Sequence, residues 1–210
     1  MEQMQILLAI LVLLPFVSAL LLALCGSDRM RRLVVYGSAG VLMISAVAFA
    51  VCFFSGENLQ LRFLQSGGII DHTMLALEAG FAVLITVLSI KYRRYYVAVL
   101  SIVQTVLTFV YELGGYKPAV QPYNLFTDQL TVIMVLIIAV VGTLITVYAV
   151  GYMRDYHNHH KEYTDRRRFF FAMLYVFLGA MFGLVLSNSL LWLYFFWEIT
   201  SLVSFLLIGY

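Results

Sequence analysis

Seven long apolar segments, separated by short polar loops, dominate the pattern of hydrophobic and polar positions along the chain. A helix crosses the hydrocarbon core of a bilayer with about 20 apolar residues, and the third and fourth segments are the shortest, at roughly 16–17 residues. The pattern predicts an all-α integral membrane protein with about seven transmembrane helices. These span Ile6–Cys25, Leu33–Phe54, Met74–Ile90, Tyr95–Val110, Leu130–Tyr152, Phe169–Ser187 and Leu190–Tyr210.

Composition excludes a soluble domain. Hydrophobic residues make up 63% of the 210 residues and charged residues 11%, with a mean hydropathy of +0.95. Soluble domains contain about 25% charged residues. The net charge of +2 gives no reason to expect a nucleic-acid partner. The first residues, MEQMQ, lack the basic start of a signal peptide, so we interpret the first apolar segment as a membrane helix.

The basic residues alternate between loops. Eleven of the 13 lysines and arginines lie in loops one, three and five, whereas loop two holds only Arg62 and loop four only Lys117. Basic loops remain in the cytoplasm. The distribution predicts a multi-pass protein of the cell inner (plasma) membrane with its N-terminus outside. The inner basic residues are Arg29, Arg31, Arg32, Lys91, Arg93, Arg94, Arg154, Lys161, Arg166, Arg167 and Arg168.

Three shorter patterns lie in the loops and at the helix ends. The stretch LQLRFL, residues 59–64, alternates apolar and polar side chains, which predicts a short strand or hairpin on the outer face after helix two. Asp128 directly precedes the fifth segment and is predicted to cap its N-terminus. Cys25 and Cys52 fall at opposite membrane faces, about 30 Å apart, so we expect two free thiols.

The last segment, LLWLYFFWEITSLVSFLLIGY, contains Glu198 at its centre. At 100° per residue, one arc of the helix is entirely apolar and the opposite arc carries the polar side chains. We expect the apolar arc to face lipid and the polar arc to face protein, because an intramembrane acid needs a polar environment. The apolar arc holds Leu191, Trp192, Phe195, Phe196, Ile199, Leu202, Val203 and Leu206, and the polar arc holds Tyr194, Glu198, Thr200, Ser201 and Ser204.

Other ionisable residues give weaker signals. Glu78 lies about one turn into the third predicted helix, where its side chain is expected to reach the membrane interface. His157, His159 and His160 could bind a metal, but the surrounding loop is charged throughout, which favours a solvated segment. No nucleotide, haem or iron–sulfur motif is visible, so we expect no cofactor, no metal and no redox chemistry in this chain.

Several stretches resemble a known family. TDQLTVIMVLIIAVVGTLITVYAVGYM, the following RRFF and the final LYFFWEITSLVSFLLIGY are similar to the antiporter-like subunit L of NADH-quinone oxidoreductase (complex I). Mrp-type antiporters and membrane-bound hydrogenases contain relatives. The resemblance implies an outer N-terminus and an outer hairpin after helix two. It also matches Glu198 to the essential glutamate of a proton channel, which pairs with a lysine on a later broken helix.

The chain departs from the family pattern in two ways. First, the helix pair within residues 74–110 stands as an insertion, which suggests a hydrogenase-linked or other anaerobic branch of the family. Second, Gln129 follows Asp128 where the family has glycine. We therefore divide the chain into residues 1–129, with helices one to four, and residues 130–210, the start of the antiporter-like core. The family core has ten helices in two inverted repeats, so the chain alone is expected not to complete a channel.

Two functional interpretations follow. In the first, the chain is a non-redox membrane subunit of an ion-translocating oxidoreductase complex, and Glu198 relays protons or handles sodium. Tyr194, Thr200 and Ser201 would assist it. Another chain would supply a lysine at mid-membrane. The chain itself could be a split subunit, a truncated product or a fragment. In the alternative, the chain is a structural or assembly anchor of a respiratory or hydrogenase complex and has no ion channel of its own.

Overall fold

The computed structural model describes residues 2–24, 26–56, 61–65, 69–113, 123–159 and 165–209. Within these ranges the chain is almost entirely helical, with one pair of short strands. The elements are α1 (Glu2–Leu24), α2 (Asp28–Ser55), β1 (Leu61–Gln65), α3 (Ile69–Lys91), α4 (Tyr95–Leu113), β2 (Tyr123–Thr127), α5 (Gln129–Ile137), a π-helical turn (Ile138–Gly142), α6 (Thr143–His159), α7 (Arg167–Leu186) and α8 (Leu190–Ile208).

The all-α membrane fold is confirmed. Six helical segments of the described residues are long and apolar enough to cross a membrane, and Tyr95–Tyr111 in α4 is a shorter apolar helix. The fifth predicted segment runs from α5 through the π-helical turn into α6, as one span over Gln129–His157. Helix α3 begins at Ile69, five residues before the predicted start, because the polar pair Asp71 and His72 is incorporated into its first turns.

Asp128 caps α5 as predicted. Its Oδ1 accepts hydrogen bonds from the Thr131 backbone N–H and the Thr131 hydroxyl, both at 2.8 Å. These two bonds stabilise the carboxylate and hold the pKa of Asp128 below its ordinary value of 3.8. A free backbone N–H at the start of the span is thereby satisfied before the chain enters a region without water.

The loops at one end of the bundle are joined by backbone hydrogen bonds. Strand β1 pairs antiparallel with β2, with Leu61 opposite Thr127 and Phe63 opposite Leu125. Leu125 also forms an isolated bridge to Ser187, at the turn between α7 and α8. The predicted strand after helix two is confirmed, and its partner β2 was not predicted. Loops two, four and six therefore meet at the same end, as the charge pattern requires.

The opposite end of the bundle joins loops one and five. Arg167, at the start of α7, lies 3.4 Å from Asp28, at the start of α2. The two ends thus agree with the alternation of basic and neutral loops. Cys52 is a free thiol, and Cys25 lies outside the described residues.

The tightest part of the core lies among α1, α2, α5, α6 and α7. Phe49, Phe53 and Phe182 are fully buried there. Between α2 and α7, the Tyr175 hydroxyl lies 2.6 Å from Ser38 Oγ and 3.1 Å from the Val35 carbonyl oxygen, to which it donates. Buried polar groups that are satisfied in this way fix how two apolar helices meet.

Candidate functional site

Glu198 lies at the middle of α8 and meets α4. The Gln104 side-chain amide donates a hydrogen bond to Glu198 Oε1, with Nε2 and Oε1 2.5 Å apart. Glu198 Oε2 is shielded from solvent and has no hydrogen-bond partner among the residues that the structure describes. Gln104 also lies at the middle of its helix, since α4 runs from Tyr95 to Leu113. One carboxylate oxygen is therefore held in place and the other is available.

Two further polar side chains lie near this carboxylate. The Tyr194 hydroxyl, one turn before Glu198 on α8, lies beside it. The same hydroxyl is within electrostatic reach of Glu78, on α3. Glu78 is 3% exposed and interacts with other groups of the protein. Gln104, Tyr194 and Glu198 thus form a polar cluster between α4 and α8, and Glu78 on α3 is close enough to influence Tyr194 electrostatically.

Glu78 is buried within the protein, at 3% exposure. The candidate span begins at His72, six residues before it. That its side chain reaches the membrane interface stays a prediction. Its burial against other helices is the usual solution for an intramembrane acid.

An aromatic framework positions α8. The rings of Phe81 on α3 and Phe195 on α8 are 6.0 Å apart and pack edge to face. On the other side, Gly183 of α7 lies directly against the ring of Phe196, with no room for a β-carbon. A small residue at such a crossing lets two membrane helices approach closely. These contacts hold the helix on both sides of the polar cluster.

The predicted orientation of α8 was wrong in part. The apolar arc was expected to face lipid, yet Leu191, Trp192, Phe195, Phe196, Ile199 and Val203 are buried. Trp197 is 58% exposed and Phe205 is 73% exposed, and the polar arc is half-buried or exposed. Lipid is as apolar as leucine, so an apolar face is equally compatible with lipid and with another helix. The pattern alone therefore could not choose between them.

The remaining predicted site residues, Thr200 and Ser201, follow Glu198 on α8. The Thr200 hydroxyl donates to the Trp197 carbonyl oxygen at 2.8 Å, which satisfies it within its own helix. Ser201 is exposed. Of the four predicted residues, Glu198 and Tyr194 lie together, and any role for Thr200 and Ser201 stays a prediction.

Gln104 was not among the residues predicted for the site. A signal for it existed, because Gln104 lies in the middle of YYVAVLSIVQTVLTFVYEL, and uncharged polar side chains in a membrane helix often bond to a neighbouring helix. The sequence does not reveal that Glu198 is the partner of Gln104, because 94 positions separate the two residues.

Two histidines of loop five, His157 and His159, bond to their own helix. His157 Nδ1 lies 3.0 Å from the Met153 carbonyl oxygen and His159 Nδ1 lies 2.8 Å from that of Asp155. Among the described residues, which do not include His160, no group of three His, Cys, Asp or Glu side chains could hold a metal ion.

A family model matches part of the second half of the chain. Residues 121–170 match the family model of the N-terminus of chain 5 of NADH-ubiquinone oxidoreductase (complex I). These residues include β2, the cap Asp128, the continuous span α5–α6 and the start of α7. The match thus covers the segment that packs against α2 and α7 in the bundle.

Three relatives are named as subunits of Na⁺/H⁺ antiporters. The relative from Staphylococcus haemolyticus is 33% identical over 116 residues, which are 55% of this chain and 13% of that protein. The relative from Alkalihalophilus pseudofirmus is 40% identical over 88 residues, 42% of this chain and 10% of that protein. The relative from Staphylococcus aureus is 28% identical over 155 residues, which cover 66% of this chain and 18% of that protein. The chain spans less than a fifth of the length of these relatives.

Three observations agree with one another. The helices are long and apolar enough to span a membrane, Gln104 bonds to Glu198 midway along two of them, and the matched proteins are subunits of complex I or of Na⁺/H⁺ antiporters. The chain is similar to the antiporter-like membrane subunits of complex I and of Na⁺/H⁺ antiporters, and its spans together with these relatives indicate a multi-pass protein of the plasma membrane.

Proposed function

We propose that the chain is part of the membrane subunit of an ion-translocating complex and that Glu198 is the group that exchanges the proton or sodium ion. Relatives named as Na⁺/H⁺ antiporter subunits support the general function. The observation that carries the specific role is the divided environment of the Glu198 carboxylate, which has one oxygen bonded to Gln104 and one without a partner among the described residues.

This environment suits an exchanging carboxylate. The Gln104 amide donates to Oε1 and can do so whether the acid is ionised or protonated, because Oε1 remains an acceptor in both forms. Ion exchange is thereby directed to Oε2. The Tyr194 hydroxyl beside the carboxylate can donate a hydrogen bond to the ionised acid or accept one from the protonated acid.

A cation from outside the described helices would complete the site. Ionised acids inside a membrane are stabilised by a nearby opposite charge. The three lysines of the sequence are Lys91, Lys117 and Lys161; the first ends α3, and the other two lie outside the described residues. We propose that a mid-membrane lysine, supplied by another chain or a further helix, approaches Glu198 at Oε2.

Replacement of Glu198 by glutamine in the assembled complex tests the role. Glu198→Gln keeps the size and the contact with Gln104 but cannot ionise, so ion transport into inverted membrane vesicles should be lost while the amount of complex stays normal. Glu198→Asp should retain part of the activity. Asp155→Asn, at an exposed acid outside the cluster, is the matched control and should transport normally. Normal transport by Glu198→Gln would refute the proposal.

The alternative is a structural anchor in which Glu198 and Gln104 only tie α8 to α4. The short bond between them favours this interpretation as much as it favours a positioned relay. An anchor predicts that Glu198→Leu and Gln104→Leu reduce the amount of assembled complex to a similar degree, since each removes the same bond. Transport per assembled complex would then be unchanged in Glu198→Gln, which separates the two functions.

A further inference from the structure

A basic cavity opens at the end of the bundle opposite the β1–β2 sheet. It has a volume of about 90 Å³ and lies between the start of α2, the second half of α6 and the start of α7. Four arginines line it: Arg31 and Arg32 from α2, Arg154 from α6 and Arg167 from α7. The charge distribution among the loops assigns this end to the cytoplasmic side.

The carboxylates at this site do not balance its arginines. Arg31, only 5% exposed, forms an ion pair with Asp28. Arg167 forms a bidentate pair with Asp165, at 2.6 and 2.9 Å. Arg32 donates only to a backbone carbonyl oxygen, at 3.4 Å. Two of the four guanidinium groups, those of Arg32 and Arg154, have no carboxylate partner among the described residues.

The positions of these two arginines favour a ligand between them. Arg32 and Arg154 project from different helices, α2 and α6, and both line the cavity. The fixed fork of a guanidinium group binds phosphate oxygens in pairs. The helices α2 and α7 also begin here, and the N-terminus of a helix carries a partial positive charge. Asp28, which also lines the cavity, is paired with Arg31 and Arg167, so Arg32 and Arg154 remain to bind a phosphate group.

The base of the cavity is apolar. Val150 and Met153 of α6 and Phe171 of α7 line it, and the Arg31 guanidinium lies over the Phe171 ring at 5.7 Å. Just beyond the basic rim on α2, Leu33 is 65% exposed and Tyr36 is 51% exposed. A basic rim above an apolar base, at the end of membrane spans, matches a lipid whose phosphate lies at the interface and whose chains enter the bilayer.

From this arrangement we propose that the cavity binds the phosphodiester headgroup of an anionic phospholipid of the inner leaflet, with Arg32 and Arg154 as its principal ligands. The arginines Arg31 and Arg167 keep their acidic partners and shape the site. The lipid would bridge α2 and α6. The proposal is independent of the role of Glu198, which lies at mid-span in α8.

Binding can be measured by native mass spectrometry of the full chain, released from nanodiscs that contain phosphatidylcholine and a graded fraction of phosphatidylglycerol. The double variant Arg32→Gln/Arg154→Gln should bind phosphatidylglycerol about 100-fold more weakly, since the charge-assisted hydrogen bonds of each guanidinium to the phosphate contribute about a factor of ten. The matched control Lys91→Gln/Arg94→Gln removes two inner-face charges that do not line the cavity and should lose much less affinity, because only the general attraction of the surface to anionic lipid is reduced.

Each other outcome would overturn the proposal. Equal losses in the two double variants would show general attraction to surface charge instead of a site. Unchanged binding in Arg32→Gln/Arg154→Gln would exclude these residues as ligands. Displacement of phosphatidylglycerol by millimolar inorganic phosphate or glycerol 3-phosphate would identify a site for free anions, whereas the lipid site should resist both.

Discussion

The helical hairpin α3–α4 and the bundle of α1, α2, α5, α6 and α7 have similar apolar composition but very different packing. Within an 18-residue apolar window of each helix, half of the residues are buried in Arg167–Leu186, against 11% in His72–Lys91. The hairpin meets the rest of the protein at α8, through Phe81 against Phe195 and through the bond from Gln104 to Glu198. The bundle instead shares large buried side chains such as Phe49 and Phe182.

This difference shows what holds membrane helices together. Leucine and lipid are equally apolar, so hydrophobicity places both regions in the membrane without saying which surfaces touch. Close contact needs small residues, interlocking rings or polar bonds. The bundle uses all three, whereas the hairpin attaches to α8 at the polar cluster. The least tightly packed helices in the structure thus supply Gln104 and Glu78 to the candidate site.

The largest expected effect comes from a methyl group added at a glycine. A β-carbon at Gly183 would overlap the Phe196 ring, whereas one at Gly80 in α3 meets nothing within 4 Å. Gly183→Ala should destabilise the protein by about 1–3 kcal/mol through overpacking, and Gly80→Ala should be neutral or stabilise it by about 0.5 kcal/mol. Thermal unfolding in detergent measures both. Equal changes in stability for the two variants would contradict the difference in packing between the bundle and the hairpin.

A smaller effect is expected from the buried hydroxyl groups. Tyr175→Phe in the bundle removes contacts of 2.6 and 3.1 Å and should cost about 1–2 kcal/mol. Ser101→Ala in the hairpin removes bonds of 3.5 and 3.4 Å, which are near the limit for a hydrogen bond and should contribute about 0.5 kcal/mol or less. The same unfolding measurement applies. A larger loss of stability from Ser101→Ala than from Tyr175→Phe would indicate that the hairpin is packed more tightly than its low burial suggests.

The smallest effect concerns acid stability at the inner end of the bundle. Hydrogen bonds from Arg167 lower the pKa of Asp165 from its ordinary value of 3.8. The folded state therefore gains stability above that value, and the gain is lost as the pH falls below it. Because Asp165 is 51% exposed, the gain should be about 0.5 kcal/mol. Asp165→Asn should unfold at a lower temperature at pH 6 and show a smaller difference at pH 3, whereas Asp155→Asn should change neither.

Local patterns could be predicted from the sequence because local physics determines them. The seven apolar segments follow from the need to satisfy backbone hydrogen bonds in lipid. The cap at Asp128 and the strand at residues 61–65 depend on a few adjacent residues, and both are present. The sidedness of the loops follows from the placement of arginine and lysine, and the two ends of the bundle agree with it.

Contacts between distant segments could not be predicted in the same way. Strand β2 pairs with β1 across about 60 residues, and its own sequence, YNLFT, lacks the alternation of apolar and polar side chains that predicted β1. The buried side of α8 was misjudged because its apolar arc suits lipid and protein equally. The meeting of Gln104 with Glu198 depends on how the hairpin folds back against α8, which no single helix encodes.

The most direct test of the account compares ion transport by the assembled complex carrying Glu198→Gln with that of the unmodified complex, in inverted membrane vesicles that contain equal amounts of each. The account predicts that transport falls to the background level in Glu198→Gln and returns in part with Glu198→Asp, because only an ionisable group at this position can take up and release the ion. Transport at the unmodified rate in Glu198→Gln would contradict it.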